Sequence, residues 1–434
     1  MSNDAYGSPL TRRRILHLAG VAGAGTLVSA CAGPGGSGGS AQGLQAPKTA
    51  GPIEGELSFA HWRGEDKKIF AELIKGFQQK HPKVKIRQDI SPSDDYEASA
   101  LQRVENGNVG DVFTAFRGTQ FMDMAKAGVF TDLSGLPVVD RYQSRFLKPG
   151  KFQGKQVGLP YQLVFNMPIY NAELFGEHGI DKPPESWDDF LAACDKLKSG
   201  GVIPIAWPGG NLGNTTHLLN SMVMNNAPSS DMFAKIESGE YACTDEWFIK
   251  TLEQYAQLRP YFQPNATGTQ VEPAEQLFAS KKAAILATGS FHISAVRALG
   301  AEFPVDLLSP ITTSASKAKY MGVHNATFVL GVNSASDNQA AATAFVEYLS
   351  TANAAKRYAN ESVQHVTVSD VEYTNRDLKA ISGWLDKETI LAPIYQFTDL
   401  NISDAVANSC IRVAGGTPPK QAAKQAQKII DQRQ

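Results

Sequence analysis

An aromatic ring, a guanidinium and two carboxylates stand close together in residues 62–66. These groups suit a ligand with apolar faces and a rim of hydroxyls, because a ring can stack on a face while charged side chains bind hydroxyls in pairs. Carbohydrates have this chemistry. The candidates are Trp62, Arg63 and Glu65, although Trp62 could pack beneath the surface and Asp66 could cap a helix.

The segment follows a short apolar strand in a region where strands and helices are expected to alternate. The predicted strands cover residues 57–59, 84–90 and 111–116, with predicted helices over 69–77 and 96–104 between them. Such alternation indicates an α/β fold with a largely parallel sheet. Ligands bind beyond the carboxyl ends of the strands in these sheets, where residues 62–66 and 117–120 lie. Arg117 is therefore a further candidate, unless it forms only a surface ion pair.

The start of the chain has the pattern of an export leader. Three arginines at residues 12–14 precede an apolar run over residues 15–28, and small residues then lead to Cys31. Crossing a bilayer requires about 20 apolar residues, so the run is too short for a transmembrane helix. It predicts a leader over residues 1–30 that is removed on export.

Two motifs in the leader resemble bacterial export signals. Residues 11–16 resemble a twin-arginine signal, and residues 28–31 resemble a lipobox, which implies a lipid on Cys31. Glycine, proline and serine are frequent in the segment that follows, so we expect residues 31–53 to form a flexible tether. An ordinary cleaved leader of a secreted protein is the alternative.

Composition restricts the function further. The chain has 41 basic and 43 acidic residues and a net charge of -2, which gives no electrostatic footprint for nucleic acid. Of its four cysteines, three lie beyond Cys31, and neither these nor the eight histidines have metal-ligand spacing. We therefore expect no metal and no cofactor. The length after the leader is enough for two domains.

Several later segments have a family's motifs in the family's order. They are residues 158–161, 169–171, 183–190, 196–198 with 203–206, 278–285 with 289–291, 321–323 and 341–349. Together they resemble the extracellular solute-binding proteins of family 1, which are sugar receptors of bacterial ATP-binding-cassette (ABC) importers. Two positions depart from the motifs, since Lys281 replaces a usual glycine and Phe291 stands where tryptophan is common.

The resemblance implies a two-lobed α/β fold of the type II periplasmic-binding-protein class. Each lobe would be a mainly parallel sheet flanked by helices, and hinge segments would cross between the lobes. The expected first lobe comprises residues 54–162 and 324–372, and the expected second lobe comprises residues 163–323 and 373–434.

The resemblance also implies further binding residues at the crossings and on the second lobe. They are Tyr161 at the first crossing, His324 and Asn325 at the second, and Asn214, Phe291 and His292 on the second lobe. Two of them have an equally good structural explanation, since Asn214 could cap a helix and His324 could be a core histidine.

The implied function is capture without chemistry. A monomeric lipoprotein on the outer face of the cell membrane would close on a sugar or oligosaccharide and deliver it to an ABC permease. A receptor for peptides or other solutes is one alternative. An exported carbohydrate-active enzyme is the other, because a glycoside hydrolase needs only two carboxylates about 5–10 Å apart, which a sequence does not exclude.

Overall fold

The computed structural model describes residues 44–105, 107 and 109–434. The predicted leader and Cys31 lie outside the described residues. The strands are β1 (Gly55–His61), β2 (Val84–Ile90), β3 (Val112–Ala115), β4 (Lys151–Phe152), β5 (Lys155–Gln156), β6 (Leu159–Phe165), β7 (Ile169–Asn171), β8 (Ile203–Ala206), β9 (Ala283–Leu286), β10 (Val305–Leu307), β11 (Gly322–Val332), β12 (His365–Val366) and β13 (Thr389–Leu391). The helices are α1 (Lys67–Lys80), α2 (Ser93–Val104), α3 (Thr119–Lys126), α4 (Ala172–Glu177), α5 (Trp187–Ser199), α6 (Leu212–Val223), α7 (Met232–Glu237), α8 (Glu246–Gln257), α9 (Val271–Ala279), α10 (Ile293–Ala298), α11 (Gln339–Leu349), α12 (Ala352–Ser362), α13 (Arg376–Ile381), α14 (Leu400–Ala414) and α15 (Pro419–Asp431).

The first lobe is built on a sheet with the strand order β12-β6-β11-β3-β1-β2, and β13 pairs with the start of β11. The predicted alternation is confirmed here, since β1 pairs in parallel with both β2 and β3. However, β11 runs antiparallel to β3 and β6, so the sheet is mixed. Helices α1 and α11 cover it, with Phe70 and Phe345 packing edge-on against Phe59 of β1.

The second lobe is built on a smaller sheet with the order β10-β7-β9-β8. Only β8 and β9 are parallel among its pairs in the described chain, and β7 is antiparallel to both of its neighbours. Helices α6, α8, α14 and α15 pack around a second apolar core. Its thiols Cys194, Cys243 and Cys410 are buried and free.

Strands β6 and β11 carry the chain between the two lobes. Residues 166–168 lead directly from β6 to β7 of the second lobe, and β11 returns to the first lobe beside β6. The ladder continues past the end of β6, where the Asn166 amide donates to the Val323 carbonyl at 3.0 Å. Because one strand leaves as the other returns, their pairing must be antiparallel, which explains the mixed sheet.

The end of the predicted tether is held on the first lobe. The Asp132 amide donates to the Gln45 carbonyl at 2.7 Å, and the Lys48 amide donates to Oε1 of Gln339 at 2.7 Å. In the described part of the chain, none of the helices has the length and apolar character required to cross a bilayer.

A buried ion pair fixes the loop between β1 and α1. Arg63 donates from Nε and Nη2 to the two oxygens of Asp66 at 2.8 and 3.1 Å, and the side chains are 5% and 2% exposed. Asp66 also accepts a hydrogen bond from the Tyr358 hydroxyl at 2.6 Å. The Tyr358 hydroxyl in turn accepts a hydrogen bond from Nε2 of Gln162. This network joins the loop to α12 and β6, and thereby positions Trp62.

Replacing Asp66 by asparagine removes the buried carboxylate that neutralises Arg63. Breaking a buried ion pair destabilises a protein by about 3–5 kcal/mol, so we expect D66N to unfold at a clearly lower urea concentration. The control K85A removes an ion pair to Glu56 whose side chains are 78% and 79% exposed, and should leave the midpoint unchanged. Equal midpoints for D66N and the wild type would contradict this role.

Burial keeps three histidines of the first sheet neutral. His61 ends β1 and His365 lies in β12, and they are 0% and 1% exposed, whereas His324 in β11 is half-buried. Burial lowers the pKa of each to about 4. The positive charges of Arg117 and Arg145 act in the same direction on the pKa of His324.

Acid should therefore destabilise the protein. Between the unfolded histidine pKa of about 6.5 and the native value of about 4, the unfolded chain binds more protons, so the free energy of unfolding falls as pH falls. For a fully buried histidine the expected loss is about 1.4 kcal/mol per pH unit. Urea denaturation across this range measures the slope, and H365N should flatten it. A stability independent of pH in this range would contradict the expectation.

Candidate functional site

A continuous series of contacts runs from the first lobe across the hinge to the second lobe. It begins where β1 and β3 end, at Trp62 and Arg117. It passes the segment after β13 and reaches the start of α6 and the turn before α10. We describe this region as the candidate cleft.

The first-lobe wall of the cleft carries a stacked aromatic pair. The rings of Trp62 and Phe116 lie 3.7 Å apart between centroids at an angle of 21°. Trp62 also packs on Tyr96 and on the edge of Phe328, which leaves it 9% exposed. Phe116 is more exposed and shares the platform with Trp62. Sequence reasoning missed Phe116, although it directly precedes Arg117 at the end of a predicted strand.

Arg63 and Glu65 have different positions in the same loop. Arg63 is buried, and the nearby carboxylates of Asp66 and Glu65 outweigh the effect of burial and raise the pKa of its guanidinium. Its Nη1 lies 2.9 Å from Oε1 of Glu65, whose side chain is 54% exposed. Arg63 therefore positions the loop, while Glu65 remains accessible to a ligand.

Arg117 lies at the junction of the lobes. Its Nη1 donates to the Ala392 carbonyl at 3.1 Å, and its guanidinium lies over the Tyr395 ring, 5.8 Å from the centroid. Among the described residues, no carboxylate oxygen lies within 4.0 Å of it. Burial lowers the pKa of Arg117 to about 10, so it stays charged at neutral pH.

Three residues proposed from the sequence meet on the second-lobe wall. His292 lies 3.1 Å from Oδ1 of Asn214 through Nε2 and 2.5 Å from Oε1 of Glu275 through Nδ1. The Phe291 ring is 4.6 Å from the His292 ring and 5.3 Å from that of His217. Asn214, Phe291 and His292 thus form one cluster with Glu275 and His217, two residues that we had not proposed.

The cap of α6 differs from the one weighed for Asn214. The residue at the N-cap is Asn211, whose Oδ1 accepts the Asn214 amide at 3.0 Å. Asn214 lies in the first turn, and its side chain is available to His292. Both asparagines are residues that favour an N-cap position, which is why the residue type alone did not distinguish the two.

Neutral polar groups connect this cluster to the hinge. Nδ2 of Asn166 lies 3.0 Å from Nδ1 of His217. Burial, and then the charge of His292, lower the pKa of His217 to about 3. Burial, and then the Glu97 carboxylate, raise the pKa of Tyr395 to about 12, against the effect of Arg117 and the Asn166 amide. The floor of the cleft therefore offers hydrogen-bonding groups that carry no charge at neutral pH.

The remaining candidates lie in the strands of the hinge. Tyr161 is fully buried, and its hydroxyl donates to the Leu349 carbonyl at 3.1 Å, so it belongs to the first-lobe core. Nδ1 of His324 lies 2.9 Å from the Thr389 hydroxyl. Asn325 follows it and points to the opposite face of β11; it is 2% exposed, and its Oδ1 has no hydrogen-bond partner among the described residues.

Two surface pockets lie away from the candidate cleft. One of about 560 Å³ lies on the second lobe and is lined by residues that include Arg259, Phe262 and Asn265. Across the described residues, no cluster of histidine, cysteine, aspartate and glutamate side chains could hold a metal ion. The candidate cleft is therefore identified by its aromatic and polar side chains and by its place between the lobes, and not by a cavity or a metal site.

Known proteins are similar to this chain in sequence. A multiple sugar-binding protein of Streptococcus mutans is 24% identical over 309 residues, covering 69% of this chain and 72% of that protein. A diacetylchitobiose binding protein of Streptomyces coelicolor is 29% identical over 147 residues, or 32% of this chain and 33% of that protein.

The solved structures give the same fold. A chitin oligosaccharide binding protein superposes with a TM-score of 0.76 at 20% identity, covering 87% of this chain and 98% of that one. A solute-binding protein in complex with raffinose gives 0.75 at 18% identity, covering 87% and 99%. The two-lobed α/β fold is thereby confirmed. Residues 62–356 match the family model described as bacterial extracellular solute-binding protein, and the chain belongs to this family.

Proposed function

We propose that this protein binds a sugar or oligosaccharide between its lobes and delivers it to the permease of an ABC importer. The observation that carries the proposal is the presence of an aromatic site on each lobe, the Trp62–Phe116 stack on the first and Phe291 on the second. Relatives named for sugar binding support the ligand class. Aromatic faces with a few fixed polar groups are the usual construction of a carbohydrate site.

Each group has a separate part in the proposed capture. The aromatic rings stack on sugar faces, and Glu65, Arg117 and Asn214 bind polar groups of the sugar. His292 is held in place by Glu275 and Asn214, so its orientation is fixed before the ligand arrives. Tyr161 and Arg63 act through packing and through the loop. The ligand leaves chemically unchanged.

Lobe closure is the proposed source of selectivity. We place the lobe boundaries within residues 162–168 and 322–324, with a third crossing after about residue 370. A ligand shifts the equilibrium between open and closed forms only as far as it binds the closed form better. A sugar that contacts Phe116 on one lobe and Phe291 on the other makes both contacts only when the lobes are closed.

We also propose that the protein is a monomeric lipoprotein, exported by the twin-arginine route and anchored by acylated Cys31 on the outer face of the membrane. Several acyl chains give stable attachment, whereas one gives only marginal binding. Residues 45–48 are bonded to the first lobe. The freely moving part of the tether would therefore end before them.

Removing either aromatic site should weaken saccharide binding. For W62A and F291A we expect a loss of affinity of about tenfold to hundredfold by isothermal titration calorimetry, because each loses one apolar face. W247A is a matched control, since Trp247 is 8% exposed and Trp62 is 9% exposed. It should reduce stability and leave affinity unchanged. Unchanged affinity in both W62A and F291A would show that this site is wrong.

The anchor can be tested in cells that carry the full chain. C31S should move the protein from the membrane fraction to the soluble fraction and abolish labelling with a radioactive fatty acid, because the acylated thiol is lost. C194A, which alters a buried thiol, should stay in the membrane fraction. A wild-type protein that is already soluble and unlabelled would contradict the lipoprotein assignment.

A further inference from the structure

Arg117 differs from Arg63 because it has no ion-pair partner among the described residues. Arg63 is neutralised by Asp66 and Glu65, and His292 lies against Glu275. In the described part of the chain no carboxylate comes within 4.0 Å of Arg117. Burial lowers the pKa of Arg117, and the Tyr395 phenol has a smaller, opposite effect.

Most of the hydrogen-bonding capacity of Arg117 is also unused. A guanidinium has five N–H donors in a planar fork, and the bond to the Ala392 carbonyl uses one of them. The side chain keeps part of its surface exposed. Among the described residues the remaining donors have no other hydrogen-bond acceptor, and they are left for a ligand that enters beside Tyr395.

Closure on a neutral ligand would remove water from the Arg117 guanidinium without supplying a negative charge. Excluding water from an unpaired ion is unfavourable by several kcal/mol, and hydroxyls compensate only part of that loss. An anionic group restores the charge balance. A carboxylate also matches the fork of a guanidinium with two parallel hydrogen bonds.

We propose that the ligand is an acidic saccharide, and that Arg117 binds the carboxylate of one of its uronic acid units. The proposal rests on the proposed function and specifies its ligand. The aromatic sites bind the sugar rings, and Arg117 selects the charged unit at the hinge. Tyr395 and Asn166 lie beside it as neutral hydrogen-bonding groups.

Calorimetry on the full chain, with matched ligand pairs, tests the proposal. The pairs are digalacturonic acid with galactobiose, cellobiouronic acid with cellobiose, and each acid with its methyl ester. We expect one acid to bind about tenfold to hundredfold more tightly than its neutral partner and its ester, and this preference should shrink as salt is added.

Variants identify the residue responsible. R117Q should remove the preference for the acid, and R117K should keep the charge but restore only part of the affinity, because lysine lacks the fork. T119V is the control, since it removes the neighbouring hydrogen bond from Thr119 to the Phe397 carbonyl without altering charge, and should keep the preference.

The outcomes separate this proposal from the function on which it rests. Equal affinity within every pair would overturn the acidic ligand while the saccharide function stands. Tighter binding of a sugar phosphate than of any uronic acid would overturn the carboxylate. A preference for the acid that persists in R117Q would overturn the role of Arg117. If no saccharide bound, acidic or neutral, the proposed function would fail as well.

Discussion

The structure depends first on the antiparallel pairing of β6 and β11. This ladder runs from Leu159 opposite Leu330 to the bond between Asn166 and Val323, and so extends from the core of one lobe to the edge of the other. Backbone hydrogen bonds are short and directional, so we expect lobe closure to keep the two strands paired. The candidate cleft includes Asn166, the first residue after β6.

The candidate cleft contains both neutral and charged side chains. Two polar side chains beside Asn166 are neutral at neutral pH, since burial lowers the pKa of His217 to about 3 and raises the pKa of Tyr395 to about 12. On the lobe walls the guanidinium of Arg63 is paired with the carboxylate of Asp66, and His292 contacts the carboxylate of Glu275. Arg117 has no ion-pair partner among the described residues, and this is the observation from which the acidic ligand is proposed.

Local patterns in the sequence predicted the first lobe well. The spacing of apolar residues within a few positions was enough to predict β1, α1, β2, α2 and β3. Their alternation then predicted the parallel pairing. Contacts between distant parts of the chain were beyond such reasoning. Arg117 meets Ala392 across 275 residues and Asn214 meets His292 across 78, so Tyr395, Glu275 and Asn166 had no local signal. The resemblance to a family supplied Phe291 and His292, whereas the burial of Tyr161 could not be distinguished from a place in the cleft until its partner on α11 was known.

The central claim is that this chain captures a saccharide and releases it unchanged. The most direct measurement is a calorimetric titration against a panel of neutral and acidic oligosaccharides, followed by mass spectrometry of the ligand recovered from the complex. The account predicts saturable one-to-one binding of at least one saccharide, with the recovered ligand identical in mass to the one added. Cleavage or oxidation of the bound ligand, or the absence of binding across the panel, would contradict it.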